Sequence, residues 1–418
     1  MNFPGKSRPA QTVILIGLFL LVAFYVETVL KVWRADWLQG KQNEKSLEAS
    51  ARIEPSDART HWMLGEYFLH SVQDQPRAID NFKQAVKLNP FEARYWLDLA
   101  AAYELGQDAE KSQYALERAL HAEPTSPSIA WEAGTFYLAA NQIDRALPLF
   151  RVAMEYDPKI IPAGLNLSWR ATHSVGQMVN EGIPKQPGPY FAFLSLLVAQ
   201  KQMTAANELW QALVQQKLDY DVAQVFPYFD FLLDTKQIDQ AENVWKFLGT
   251  REPELLKNAQ GNLVSDGGFE GKFLNGAFGW RHRPRPETDV ALDTSEFHSG
   301  TRALRLSFAG PAISDTGVYQ YVPVQTNTSY RLTAFVKSQD IVSASGPRLV
   351  VQDWYSNQLL AKAEDLLGTT GWREQNLDFT TGPDTRLVFI GIMRVPGNPL
   401  IKGTFWLDDL KLIPLPKA

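Results

Sequence analysis

Cysteine is absent from the 418 residues, which excludes disulfides, thiolate zinc sites and thiol nucleophiles. Histidine is scarce: the six (His61, His70, His121, His173, His282, His298) are scattered, with no H-E-x-x-H or other metal-ligand spacing. Neither a phosphate loop nor a G-x-S-x-G elbow occurs. Acidic pairs are present, as in any chain of this size, but only a tertiary accident would make one a glycosidase dyad. The short basic loop RHRPRPE, Arg281 to Glu287, reads as solvated. No basic block appears and the net charge is −5, which argues against a nucleic-acid partner. The chemistry of catalysis is missing, so the expected function is binding.

Long apolar runs are also missing, with one exception. Thr12 to Val26 (TVILIGLFLLVAFYV) carries no charge, and Glu27 is the only one before Lys31. The stretch 12–30, as a helix of about nineteen residues rising about 1.5 Å each, covers about 28 Å, close to the ~30 Å core of a bilayer. Lys6 and Arg8 precede it, as in a signal sequence, but bulky Phe24, Tyr25, Val29, Leu30 and Trp33 follow in place of a small-x-small cleavage site. An uncleaved signal anchor is expected, with a cleaved signal or a buried soluble helix as the alternatives. Lys6 and Arg8 before the span nearly balance Lys31, Arg34 and Lys41 after it. The basic count therefore leaves orientation open. Anchors of this length near the N-terminus commonly translocate the rest of the chain, which favours a periplasmic or extracytoplasmic body. Residues 1–11 are then a tail and 31–56 a connecting helix.

The middle of the chain is periodic. Pro90, Pro124 and Pro158 lie 34 residues apart, while Pro55 precedes Pro90 by 35, which implies one inserted residue. Within the units, Leu64, Gly65, Phe68, Ala78, Phe82 and Ala85 are answered by Leu99, Ala100, Tyr103, Ser112, Leu116 and Ala119. Gly134, Tyr137, Ala146, Phe150 and Ala153 come next. Small residues let paired helices approach, large ones fill the layers, and proline ends each second helix. Residues 57–158 resemble the tetratricopeptide repeat family. Degenerate units continue the pattern through Ala206, Trp210, Ala241 and Trp245. The predicted array spans 57–255 in five or six helix pairs, with Leu47 and Ala51 as half a unit before it. The resemblance implies a concave face that holds a protein partner. The positions facing that groove in the family are Trp62, Leu97 and Trp131, with Glu66 and Thr135 one turn on. Two tryptophans there would serve as anchors; a register shifted by one would instead make them core.

Past a linker at 256–262 the helical spacing stops. Alternating runs suggest strands at 303–308, 317–324, 330–338, 348–354, 372–380, 385–393 and 404–413, a β-sandwich. In order, NLVSDGGFE, Gly279–Trp280, HSGTRALRL, TTGWREQNLDF and GTFWLDDLKL are similar to carbohydrate-binding modules of the galactose-binding-like jelly-roll type. The predicted fold class is therefore a transmembrane helix, an α-solenoid, then an antiparallel β-sandwich over 263–415. The resemblance implies a structural calcium held by Glu270, Asp408 and Asp409, with carbonyls from around Ser299 and Gly300. Calcium prefers six to eight hard oxygens. The alternative is that these acids accept hydrogen bonds from loop amides. A sugar needs aromatic platforms and planar polar groups: Tyr319, Tyr321, Trp354 and Tyr355 with Gln320, Gln352, Asp353 and Arg394. Trp280 and Trp372 read as core. The resulting expectation is a membrane-anchored scaffold that binds a protein and a glycan, in envelope or exopolysaccharide assembly or export. A purely structural scaffold without sugar binding and, more remotely, a glycan-active enzyme are the alternatives. The last helix pair is expected to pack on the sandwich.

Overall fold

A computed structural model describes residues 8–256, 261–394 and 399–416. The outer part of the tail, four residues of the 256–262 linker and the extreme C-terminus lie outside the described residues. The chain divides into two compact units, 1–196 with 207–217, and 197–206 with 218–418.

The first unit begins with α1 (Arg8–Gln39). Its stretch Thr12–Gln39 is the one helix among the described residues long and apolar enough to cross a membrane. Side chains 12–34 are exposed, but Ala35 and Gln39 are buried. The reason is α2 (Glu44–Ile53), an amphipathic helix that folds back along α1. Ser50 Oγ donates to the Ala35 carbonyl at 3.0 Å. The Gln39 amide donates to Asp57 Oδ2 and Thr60 Oγ1, both at 2.8 Å. Asp57 is also the N-cap of the next helix, accepting from the Arg59 and Thr60 amides. The base of α1 is thereby tied to the first repeat.

Helix pairs come next: α3 (Ala58–Glu66) with α4 (Gln75–Leu88), α5 (Ala93–Leu105) with α6 (Ala109–Ala122), and α7 (Pro127–Ala139) with α8 (Ile143–Tyr156). The predicted small-against-large contacts are present. A β-carbon on Gly65 would lie 2.5 Å from the Phe82 ring, and one on Gly134 would lie 2.9 Å from Phe150. Ser112 takes the alanine place because its buried hydroxyl donates to the Ala100 carbonyl at 2.9 Å. Asp74 and Asp108, 34 residues apart, cap α4 and α6 through the Arg77 and Lys111 amides. The turns before these helices rest on left-handed Gln73, Gln107 and Asn141, again 34 apart.

The inserted residue of the first unit is visible. From Asp57 to Asp74 the chain is one residue longer than from Glu92 to Asp108 or from Ser126 to Gln142. A π-helical turn over Tyr67–Val72, continuing α3, absorbs it. Next come α9 (Ile161–Thr172), the short α10 (Val175–Gln177) with a second π turn, then α11 (Pro187–Ala199) and α12 (Met203–Gln216).

The second unit holds α13 (Phe226–Asp234), α14 (Ile238–Arg251) and, among the described residues, ten strands. These are β1 (Arg281–His282), β2 (Thr288–Asp293), β3 (Ala303–Ala312), β4 (Asp315–Pro323), β5 (Ser329–Val342), β6 (Arg348–Asp353), β7 (Leu359–Lys362), β8 (Gly368–Thr380), β9 (Leu387–Met393) and β10 (Leu400–Pro414). They form two five-stranded antiparallel sheets, ordered β1-β4-β9-β6-β7 and β2-β3-β10-β5-β8. All seven predicted strands are present; β1, β2 and β7 are additional. Val318, Val322, Leu349, Val351, Ile390, Leu332, Val336 and Leu407 fill the space between the sheets, as alternation along each strand requires.

Candidate functional site

On the repeat array the paired helices set their first members side by side. Trp62 on α3 is half-buried; its indole N–H donates to Asp98 Oδ2 on α5 at 2.7 Å, and its ring stacks on Tyr95 at 5.8 Å. Arg94 Nη1 donates to Glu132 Oε2 on α7 at 2.6 Å. Glu66 and Asp98 face each other closely enough that burial, and then their mutual repulsion for Glu66, lifts the Glu66 carboxyl above its ordinary range. Burial likewise raises Asp98, against the pull of the Trp62 hydrogen bond and Arg94. These partners lie 32–38 residues apart in sequence, so the period puts neighbouring first helices side by side.

Of the expected groove residues, Trp62, Glu66, Trp131 and Thr135 are half-exposed and Leu97 is buried. Leu97 sits at 6 % exposure and packs as core, because its turn of α5 faces inward. Trp131 lies 5.3 Å from the Phe150 ring, and Thr135 Oγ1 donates to the Glu132 carbonyl. Asp98, Arg94 and Glu132 were not singled out from sequence. The signal was there, since Arg94 and Glu132 are one helical turn from Leu97 and Thr135, and Asp98 adjoins Leu97.

In the second unit the outward face of the β1-β4-β9-β6-β7 sheet carries rows of large side chains. Arg281 pairs across to Tyr319, and Tyr321, Phe389 and Gln352 succeed one another across β4, β9 and β6. Tyr319 stacks on Phe389 at 5.2 Å, and Tyr321 lies 4.5 Å from Trp354. Gly391 leaves room for this: a β-carbon there would meet the Phe389 ring at 2.4 Å.

The last helix pair is seated beside these rings. Arg281, 9 % exposed, donates from Nη1 to Asp230 Oδ2 of α13 at 3.1 Å and lies over Tyr321. Tyr355 donates its hydroxyl to the Leu233 carbonyl at 2.7 Å, and Lys236 sits over its ring. Phe278 meets Phe229 edge-on at 4.8 Å and lies against Trp245. A β-carbon on Gly276 would strike the Phe226 ring. The expected packing of this pair on the sandwich is therefore present.

The expected sugar residues separate into two groups. Tyr319, Gln352 and Trp354 share the outward face and are partly exposed, and Tyr355 is spent on α13. Gln320 and Arg394 do not belong with them. Gln320 is fully buried, and its amide accepts from Ser265 N and donates to Ser265 O. It lies between Tyr319 and Tyr321, so its side chain takes the opposite face. Arg394, 1 % exposed, donates to the carbonyls of Ser345, Ile313 and Pro399 and to Ser343 Oγ. Burial without an acidic partner lowers its pKa. It is a structural brace.

The three expected calcium ligands gather around Gly268. A β-carbon there would lie 3.8 Å from Asp409 Oδ1 and 3.9 Å from Asp408 Oδ1 and Glu270 Cγ. Each already holds protein donors. Asp408 Oδ2 accepts from the His298 and Ser299 amides, and its Oδ1 from the Asp409 amide. Asp409 meets His298 Nδ1 at 2.6 Å and accepts from Ser299 Oγ. Glu270 accepts from the Thr301 amide and hydroxyl. Among the described residues, no three His, Asp or Glu side chains stand in a metal-holding arrangement.

No family profile matches the chain. It is 28% identical over 115 residues to interferon-induced protein with tetratricopeptide repeats 2 of Cricetulus griseus, covering 28% of this chain and 24% of that protein. The human protein of that name is 27% identical over 128 residues. The chain spans about a quarter of the length of the curated relatives it matches. Among solved structures, it is similar to MamA at 15% identity and a TM-score of 0.29, over 46% of this chain and 91% of MamA. It is also similar to the CBM22-1–GH10 modules of Clostridium thermocellum xylanase 10B, solved with xylohexaose, at 17% identity and a TM-score of 0.27, over 37% of this chain and 29% of that one.

Proposed function

We propose that this protein is a membrane-anchored, non-catalytic scaffold whose repeat array captures a protein partner. The observation that carries the reading is the row Trp62, Asp98, Arg94 and Glu132 along α3, α5 and α7, with Glu66 beside Asp98. It joins half-exposed aromatic surface to charged groups that fix an orientation. α1, acting as a signal anchor, would hold this row at a lipid surface with the body extracytoplasmic.

The test is capture of partners from the native membrane by the full chain carrying Trp62→Ala and Trp131→Ala. Loss of capture by at least about tenfold, with the helical circular dichroism unchanged, is expected. Loss of the helical signal would place both rings in the core and sink the assignment.

A glycan-contacting role for the sandwich is the second reading, favoured by partly exposed Tyr319, Trp354 and Gln352 on one sheet face. It predicts glycan binding by the full chain that Trp354→Ala removes; a blank glycan array leaves the purely structural scaffold. Envelope or exopolysaccharide assembly belongs to this reading alone. Calcium is a third proposal, confined to Glu270, Asp408 and Asp409 and supported by the Asp408 and Asp409 carboxylates beside Gly268, with Glu270 next to them. It predicts a melting temperature that calcium raises by several degrees and a chelator returns. An unmoved temperature assigns the three acids to the hydrogen bonds already described.

A further inference from the structure

Thr12–Gln39 is 28 residues long, about 42 Å as a helix, against about 30 Å of hydrocarbon. The surplus lies at the end where α2 is packed on Ala35 and where Asp57 and Thr60 hold Gln39. Twenty residues counted from Thr12 end at Lys31, which sets the hydrocarbon boundary there.

The return of α2 brings its last turn to the same level. Arg52 and Ile53 line a cleft of about 840 Å³ with Phe19, Val22, Ala23, Val26, Glu27, Leu30, Lys31 and Arg34 of α1. The cleft has a wall and a rim. Phe19, Val22, Ala23, Val26 and Leu30 recur at three- and four-residue steps, forming one apolar stripe. Lys31, Arg34 and Arg52 stand at its upper end. Lys31 is 3.0 Å from Glu27. No ion pair of Arg34 or Arg52 occurs among the described residues. The charges on this rim are thus three cations and one carboxylate. Exposed Trp33 and Trp37, the latter beneath Lys41 at 3.6 Å, lie just beyond, where interfacial aromatic residues sit.

We propose that this cleft seats one phospholipid with an anionic headgroup, its phosphate at Arg34 and Arg52 and one acyl chain along the stripe from Leu30 to Phe19. The inference rests on α1 spanning a bilayer. The occupant is set by continuity with the hydrocarbon below and by the net positive rim, because juxtamembrane cations draw anionic headgroups. A zwitterionic headgroup would satisfy the stripe equally and bring the same phosphate, but its quaternary ammonium would add a cation beside a rim that is already net positive.

The full chain is reconstituted into nanodiscs of POPC and POPG at 3:1, released in mild detergent, and weighed intact by native mass spectrometry. Retained POPG above its bulk share is expected on the wild type. Arg34→Gln with Arg52→Gln is expected to reduce that retention about tenfold. Lys83→Gln with Lys87→Gln, on α4 and away from the cleft, should leave it unchanged. Equal retention by the cleft variant, or POPC retained as readily as POPG, overturns the proposal. Carbonate extraction of the same preparations separates the two readings. A chain that resists extraction yet shows no POPG preference refutes the lipid seat alone. A chain that washes off refutes the anchor and this inference with it.

Discussion

Arg394→Met is expected to cost the C-terminal sandwich about 4 kcal/mol. The methionine would fill much of the volume but donate nothing. The carbonyls of Ile313, Ser345 and Pro399 and the Ser343 hydroxyl would each lose a charge-assisted donor. These groups come from the turn before β4, the turn before β6 and the approach to β10, so one guanidinium ties three connections together. Arg394→Lys offers three donors from one point instead of a planar fork and should lose an intermediate amount. Urea unfolding of the full chain in detergent, followed by tryptophan fluorescence, reads both. A loss below about 1 kcal/mol for the methionine variant would mean that the brace is ornamental. Sugar binding that failed without any change in stability would restore the ligand role.

The second large effect belongs to the seat of the last helix pair. Asp230→Ala leaves the Arg281 guanidinium buried with the Ala277 carbonyl and the Tyr321 ring as its main company. Removing one partner of a buried pair costs about 3–5 kcal/mol. Asp230 is 43 % exposed, so solvent screening puts the expected loss nearer 2–3 kcal/mol. Adding Arg281→Met should recover part of it, since an apolar chain has no charge to strand. Failure of that rescue would show that the guanidinium contributes through Tyr321 and Ala277 rather than through the ion pair. The cycle measures how firmly α13 and α14 belong to the same folding unit as the strands.

The features legible in the sequence are those with physical regularity. Thirty-four-residue spacing, small residues at Gly65 and Gly134, and alternation in the strands each reflect packing that repeats locally. They placed the helix pairs and seven of the strands. The extra residue before Pro90 was legible as a count, but not as a π turn. A helix can absorb an insertion in its loop or its body, and only the packed partners decide.

The side-chain roles were less accessible. Arg394 and Gln320 have the composition of ligand-binding groups, and composition says nothing of burial. For Gln320 the period of two already set it opposite Tyr319 and Tyr321. Arg281 sat in a basic, proline-rich loop that read as solvated. Its partner Asp230 is 51 residues away, beyond any local pattern. Tyr355 read as an aromatic platform for a sugar, and its hydroxyl is instead claimed by the Leu233 carbonyl.

The joint at the base of α1 has a mechanical consequence. With Ser50 bonded to the Ala35 carbonyl and Gln39 clasped by Asp57 and Thr60, no swivel separates the helix from the first repeat. In the anchored reading the helix behaves as a mast and the array as a fixed boom. Rotation of the helix about its own axis would sweep the array around without altering its height. In that reading the stiffness of this joint limits where the first repeat can reach, a selection made before any chemical recognition begins.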